Sequence, residues 1–337
     1  MTRIWMILGL LSISIGCDRN PSVTATTQTS SATQKVSLQL NWKPEPQFGG
    51  FYAAKEISAF TRRGLDVEIV PGGVGTPTVQ MVAAGKVAFA VVSADEVILS
   101  RANGADVVAL LAVYQTCPQG LMTHAARGFK SIEDVFTHPG TVAMQRGLPY
   151  ASWLEKKYGF DKVKVVPSPG GDLSVFRSDP NYTMQCFITS EPIAAKRAGL
   201  DPQTFLIAEA GYNPYTTVLV TQGDYLKRNR ETAKQMTDAC REGWRTYLDE
   251  PAQINAVMQK LNPTMDAQTF TDSAAAQKPL IETDQTKKNG LGTMTKERWE
   301  TLVRQLVELK VIEKPVDANA CLAADFSADQ TAQEKRP

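Results

Sequence analysis

From residue 36 onward the chain alternates short apolar runs with longer stretches whose apolar residues recur every three or four positions. The short runs predict strands at 36–42, 66–70, 87–93, 107–114, 120–123, 141–145, 162–166, 184–189, 204–208 and 217–221. The stretches between them carry helix ends. Thr76-Pro77 fits an N-cap followed by a first-turn proline; Val79, Val82 and Ala83 share a face, and Gly85 stops the helix. Ser93-Ala94-Asp95-Glu96 is a capping box before an apolar run that ends at Gly104. Ser131 caps a further helix, Pro149 starts one that carries Tyr150, Leu154 and Tyr158 on one side, and another runs from Glu191 to Ala198. Strand–helix alternation of this length implies a parallel sheet covered on both faces.

After Gly223 the strand signals stop. Helices are predicted at 224–249, 251–261, 266–281 and 295–310, and the stripe Trp299, Leu302, Leu306, Leu309 predicts core packing. Residues 287–293 (KKNGLGT) read as a flexible connector and the chain beyond Phe326 as a disordered tail.

The chain start follows another logic. Arg3 precedes an apolar run over 4–15, too short for a membrane span of about 20 residues but right for a signal-peptide core. Ser14-Ile15-Gly16-Cys17 resembles a bacterial lipoprotein signal, in which the cysteine, here Cys17, is acylated and becomes the mature N-terminus; an ordinary cleaved signal is the alternative. Residues 18–35 are polar and rich in Ser and Thr, a composition that buries too little to fold and reads as a tether. This order places the protein in the periplasm or at the cell surface, held to a membrane by lipid.

Composition narrows the function. The 337 residues carry 36 basic and 35 acidic side chains, so no charge excess points to nucleic acid. Four cysteines remain, Cys117, Cys186, Cys240 and Cys321, and free thiols or one or two disulfides are equally open. The chain has two histidines and no HExxH or CxxC motif, which argues against zinc, and no GxSxG elbow or cofactor motif. The loop PGGVGT at 71–76 is neither a dinucleotide fingerprint nor a Walker loop.

In open parallel sheets, ligands bind beyond the carboxyl ends of strands, where helix N-termini offer free N–H groups. Such ends occur at Gly49-Gly50, Gly75-Thr76, Ser93, Gly147-Leu148 and Ser190-Glu191. Trp42 either offers a ring to the cleft or plugs the core, and Gly49-Gly50 either admits a ligand to the main chain or forms a turn.

The segment Leu40-Asn41-Trp42-x-Pro44-x-Pro46 with Phe51-Tyr52-x-Ala54-Lys55-Glu56, then Gly64-Leu65-Asp66-Val67-Glu68, resembles the start of NMT1/THI5-like solute-binding proteins. Val82-Ala83-Ala84-Gly85-Lys86-Val87-Ala88-Phe89 and Thr189-Ser190-Glu191-Pro192 extend the resemblance over about residues 36–250. The family belongs to bacterial ABC importers for thiamine-pyrimidine, riboflavin, sulfonate or nitrate. The resemblance implies an α/β type II periplasmic-binding-protein fold, with two doubly wound lobes joined by two crossing strands and a helical C-terminal part. Lobe 1 would be 36–114 plus 218–326 and lobe 2 would be 115–217, with crossings near 114–117 and 215–218. It also implies a monomer that needs no cofactor, performs no catalysis and delivers its ligand to a permease.

Carried over by motif, the ligand-binding residues would be Trp42, Gln47, Phe48, Gly49, Ser93, Gln145 and Glu191. Gly75, Thr76, Tyr52, Tyr114, Tyr150, Tyr212 and Tyr215 are added from their expected place around the cleft. So many aromatic rings suit a flat heteroaromatic ligand, with Glu191 accepting from an amino group. Phe48 stands where thiamine-pyrimidine members often have His. Three alternatives stay open: a small anion such as sulfonate or nitrate held near Arg146, a pyrimidine-synthase-like enzyme with Lys43 or Lys55 holding an aldehyde cofactor, and a sensor subunit that binds the same ligand and docks on a receptor.

Overall fold

The structure, a computed structural model, describes residues 33–327. The expected signal segment, Cys17, nearly all of the tether and the tail beyond Ser327 lie outside the described residues.

The strands are β1 (Gln34–Gln39), β2 (Leu65–Val70), β3 (Phe89–Val92), β4 (Val107–Tyr114), β5 (Gln119–His124), β6 (Gly140–Ala143), β7 (Val163–Val166), β8 (Tyr182–Phe187), β9 (Pro202–Leu206) and β10 (Thr216–Gln222). They form two sheets, ordered β2-β1-β3-β10-β4 and β7-β6-β8-β5-β9. In the first, β1 runs parallel to β2 and β3, and β10 antiparallel to β3 and β4. In the second, β6 runs parallel to β7 and β8, and β5 antiparallel to β8 and β9. The reversed strand in each sheet is the one arriving from the other half: β5 follows β4, and β10 follows β9. The all-parallel expectation therefore fails at one strand per sheet, because the chain crosses twice.

The helices are α1 (Gly49–Glu56), α2 (Thr78–Ala83), α3 (Ala94–Ala102), α4 (Ile132–Thr137), α5 (Pro149–Tyr158), α6 (Ser174–Ser178), α7 (Glu191–Arg197), α8 (Gly223–Arg228), α9 (Arg230–Asp249), α10 (Ala252–Leu261), α11 (Ala267–Ile281), α12 (Asp284–Asn289), α13 (Lys296–Glu308) and the single turns α14 (Ala318–Cys321) and α15 (Ala324–Ser327). Helices α1, α9, α10 and α11 share one core with the first sheet, through Leu38, Phe51, Leu110, Trp244 and Met258. A second core joins the opposite face of that sheet to the second one, through Val92, Ala112, Trp299, Leu121, Val142 and Leu154. Alternation along the strands explains the division: Leu121 and Val142 enter this core, while Met122 and Ala143 point into a third with Phe176 and Ala195.

Several local expectations change. β1 starts at Gln34, inside the expected tether, because Gln34 and Lys35 pair with Leu65 and Asp66. The helix expected over 224–249 breaks at Asn229 into α8 and α9. The expected flexible connector holds the second half of α12, and its Gly292 lies against Leu111 and accepts from Ala112 N at 3.1 Å. All four cysteines of the described residues are buried free thiols.

The two crossings are tied together. Cys117 N donates to Asn213 Oδ1 at 2.8 Å, and Arg298 grips Asn213 O through Nε and Nη2. Gln115 N and Thr116 N both donate to Leu280 O at the end of α11. Thr217, on the second crossing, holds a left-handed φ of 54°, a conformation costly for a β-branched residue.

Candidate functional site

The site starts where β1 ends. Gln39 Nε2 donates to Leu40 O, Val70 O and Pro71 O, and Gly72 N donates to Trp42 O at 3.0 Å, so Trp42 sits on a braced strand end. The following segment, Lys43 to Phe48, contains two prolines and so loses two N–H groups that could anchor it. Its carbonyls serve instead: Asn262 Nδ2 donates to Pro44 O at 3.1 Å and Gln277 Nε2 to Pro46 O at 3.0 Å. Between the prolines, Glu45 accepts from Trp42 Nε1 at 3.1 Å.

The other half contributes Glu191 at the start of α7. Its Oε2 accepts from Phe187 N at 2.8 Å, and a Cβ at Gly171 would stand 3.6 Å from its other oxygen. The negative charge of Glu191 reaches Glu45. Burial first, and Glu191 second, push the Glu45 carboxyl up to about 7, against the Trp42 hydrogen bond and Lys43. Burial likewise raises Glu191, opposed by backbone N–H groups. Tyr114 closes the group. Its buried hydroxyl donates to Gln277 Oε1 at 2.6 Å, lies in reach of Thr189, and is pushed up by burial and by Glu45. Trp42, Tyr114 and Glu191, three residues expected from sequence, thus converge, together with Glu45, Thr189 and Gln277.

The remaining expected residues divide. Gln145 N donates to Gln185 Oε1 at 2.6 Å and to Tyr150 OH at 3.3 Å, while Tyr150 OH donates to Gln185, so these three form one cluster at the β6 end. Ser93 does not offer a free amide: its N–H donates to Glu96 Oε2 at 2.8 Å and its hydroxyl to Asp95 and Glu96. Tyr212 OH donates to Asp95 Oδ2 at 2.9 Å, linking the second crossing to α3. Tyr215 belongs to core packing, with the Arg298 guanidinium 3.9 Å over its ring, Trp299 beside it and Thr295 N donating to its hydroxyl. Gly75 is exposed at φ 79°, and Thr76 Oγ1 closes the loop by accepting from Gly73 N at 2.9 Å. Gln47 is half-buried, Phe48 is buried, and Tyr52 is buried with an unpartnered hydroxyl.

The two glycines have a packing explanation that the sequence reading did not find. A Cβ on Gly49 would stand 2.1 Å from Tyr247 Cε1, and one on Gly50 2.2 Å from the Trp244 ring, so α9 lies directly on them. Arg146, considered for an anion, pairs with Glu155 at 2.9 Å instead. Sequence reasoning missed Glu45, Thr189, Gln185 and Gln277. Thr189 left a trace in the Thr189-Ser190-Glu191-Pro192 motif, and Glu45 in a carboxylate pinned between two prolines beside a tryptophan.

A family model described as NMT1/THI5 like matches residues 45–254. The formylaminopyrimidine-binding protein of Halalkalibacterium halodurans is 23% identical over 334 residues, covering 94% of this chain and 96% of that protein. The riboflavin-binding protein RibY of Chloroflexus aurantiacus is 19% identical over 312 residues, covering 87% and 86%. Among solved structures, the periplasmic aliphatic sulphonate binding protein SsuA from Escherichia coli superposes with a TM-score of 0.66 at 14% identity, covering 88% of this chain and 92% of that one.

Proposed function

This chain belongs to the NMT1/THI5-like family, and on that premise we propose that it captures a small heteroaromatic amine between its two halves and passes it to an ABC importer. It is an extracytoplasmic solute-binding protein and not an enzyme. The observation that carries the ligand class is the ring of Trp42, held by Glu45 at 3.1 Å, with Tyr114 and the Glu191 carboxyl within reach of the same glutamate's charge. Carboxyl groups at Glu45 and Glu191 repel nitrate or sulfonate. Aromatic faces with carboxylate acceptors suit a planar ring carrying N–H donors. The relatives named for a formylaminopyrimidine and for riboflavin, both flat nitrogen heterocycles, support the same class.

In this reading, 36–114 with 218–326 form one lobe and 115–217 the other, and they close by rotation about the two crossings. Cys17 carries lipid, residues 18–33 supply reach, and the protein works as a tethered monomer. The test is a thermal-shift and calorimetry comparison of an aminopyrimidine, riboflavin and an alkanesulfonate. A heterocycle raises the melting temperature and the sulfonate does not. Trp42→Ala weakens the binding while the protein stays folded. Stabilisation by the sulfonate alone refutes the ligand class.

A further inference from the structure

We propose that Gln185 is a specificity-determining residue of this site: its side-chain amide, held in one orientation by Gln145 and Tyr150, donates from Nε2 to a carbonyl oxygen on the rim of the bound heterocycle. This rests on the heteroaromatic reading above and adds that the ligand carries an acceptor as well as amino donors.

Hydrogen bonds fix the amide. Gln145 N donates to Gln185 Oε1 at 2.6 Å, and Tyr150 OH donates to the same oxygen. A backbone N–H can only donate, so the atom it meets is the amide oxygen, and that end of the side chain is engaged twice. The nitrogen end is turned away from both donors, and Nε2 has no partner among the described residues. Gln145 and Tyr150 are thus positioning residues: they orient the group that meets the ligand.

The strand places this amide on the cleft. Met184 and Cys186 point into the third core, so by alternation Gln185 and Phe187 take the other face of β8. Phe187 is half-buried and belongs to none of the three cores, which leaves its ring to the space beyond the strand end. The halves meet at this end: Ile188, the next residue, packs against both the first core and the third, and Glu191 Oε2 accepts from Phe187 N. On the neighbouring strand, the loop after β6 is open, with residues 145–148 exposed and nothing within 4 Å of a Cβ on Gly147.

The chemistry follows from the donor. Arg146 in that loop is paired with Glu155, so the donor offered here is a neutral amide and its match is a neutral acceptor. Alternate residues of a strand stand about 7 Å apart, the width of a substituted six-membered ring, so a ring lying on Phe187 brings its rim to Gln185. A carbonyl oxygen accepts over a broad range of directions, whereas a ring nitrogen has a single in-plane lone pair. An exocyclic carbonyl is therefore the acceptor that this approach selects.

Titration calorimetry of the full chain tests the assignment with two probes of equal charge: 4-aminopyrimidin-2-one and 4-amino-2-methylpyrimidine, which keeps the ring and amino group and replaces the carbonyl by a methyl. Gln185→Glu retains an oxygen for Gln145 N and Tyr150 OH and turns the donor into an acceptor. It weakens binding of the carbonyl probe by roughly tenfold or more and that of the methyl probe by less than about threefold. Any long-range effect of the added charge acts on both neutral probes alike, so the ratio isolates the contact. Tyr150→Phe removes one of the two donors that hold the amide and narrows the preference for the carbonyl probe. Riboflavin, which carries ring carbonyls, follows the carbonyl probe. Wild type itself prefers the carbonyl probe over the methyl one, a comparison that stands even if a variant fails to fold. Equal losses on the two probes in Gln185→Glu would make Gln185 a structural residue and overturn the inference, as would equal affinity of wild type for both. Failure of the heteroaromatic reading has a different signature: both pyrimidines and riboflavin fail to bind wild type while an alkanesulfonate binds.

Discussion

Gly243→Ala isolates the contact that sets the first half of the site. Gly243 lies on α9 where it crosses α1, and a Cβ there would stand 2.1 Å from Gly50 O, 2.5 Å from Ala54 N and 2.6 Å from Ala54 Cβ. Ordinary carbon contacts need about 3.4 Å or more. No rotation of a side chain relieves the clash, since two of the three atoms are backbone, so the helices must separate by about 1 Å. Overpacking of this kind costs about 3 kcal/mol, near the top of the usual range because the neighbours cannot yield. At roughly 3 °C per kcal/mol for a domain of this size, the melting temperature falls by about 10 °C. Gly147→Ala serves as the control: nothing lies within 4 Å of its Cβ position and its φ is not left-handed, so it should shift the melting point by at most a degree or two. Thermal unfolding followed by circular dichroism compares the two. Since α1 continues directly from the Pro46–Phe48 turn, Gly243→Ala should also weaken ligand binding. A melting temperature for Gly243→Ala equal to that of Gly147→Ala would refute the packing argument and return Gly49-Gly50 to the ligand.

Four further outcomes follow from the same geometry. Ligand-free wild type should lose melting temperature relative to Glu45→Gln as pH rises from about 4.5 through about 7. The folded carboxyl titrates above its unfolded value, so its contribution is complete at low pH and disappears above 7; identical pH profiles would remove the burial argument. The four thiols of the described residues should resist a maleimide in the native protein and react after unfolding, since burial pushes Cys117 and Cys321 up to about 11 and raises Cys186 and Cys240 as well; prompt native labelling of any would contradict this. Arg197 on α7 pairs with Asp266 at 3.1 Å and reaches Asp272, at the N-terminal end of α11, at 4.0 Å; Arg197→Ala should speed ligand release a few-fold with little loss of stability, and an unchanged off-rate would show that the ion pairs do not hold the halves together. Thr217→Gly should be neutral or stabilising, where glycine inside a strand ordinarily costs about 1 kcal/mol; a loss of that size would show that its left-handed φ is not strained.

The alternation of short apolar runs with capped amphipathic stretches determined the α/β class and the approximate place of nearly every strand, because side-chain period and helix capping are local properties. The capping box at Ser93 and the stripe from Trp299 to Leu306 read correctly for the same reason. Trp42 and Glu191 could be named from the family motif together with the strand end and helix start they occupy, and Tyr114 from its expected place around the cleft. What the sequence could not show was who faces whom. Glu45 matters only because Glu191 arrives from a residue 146 positions away, and Gln277 only because α11 returns to hold Tyr114 and Pro46. Gly49-Gly50 looked like an opening for ligand until α9 was seen lying on it. Periodicity records which face of an element is buried; the identity of the partner that buries it depends on long-range contacts, and those exist only in the folded molecule.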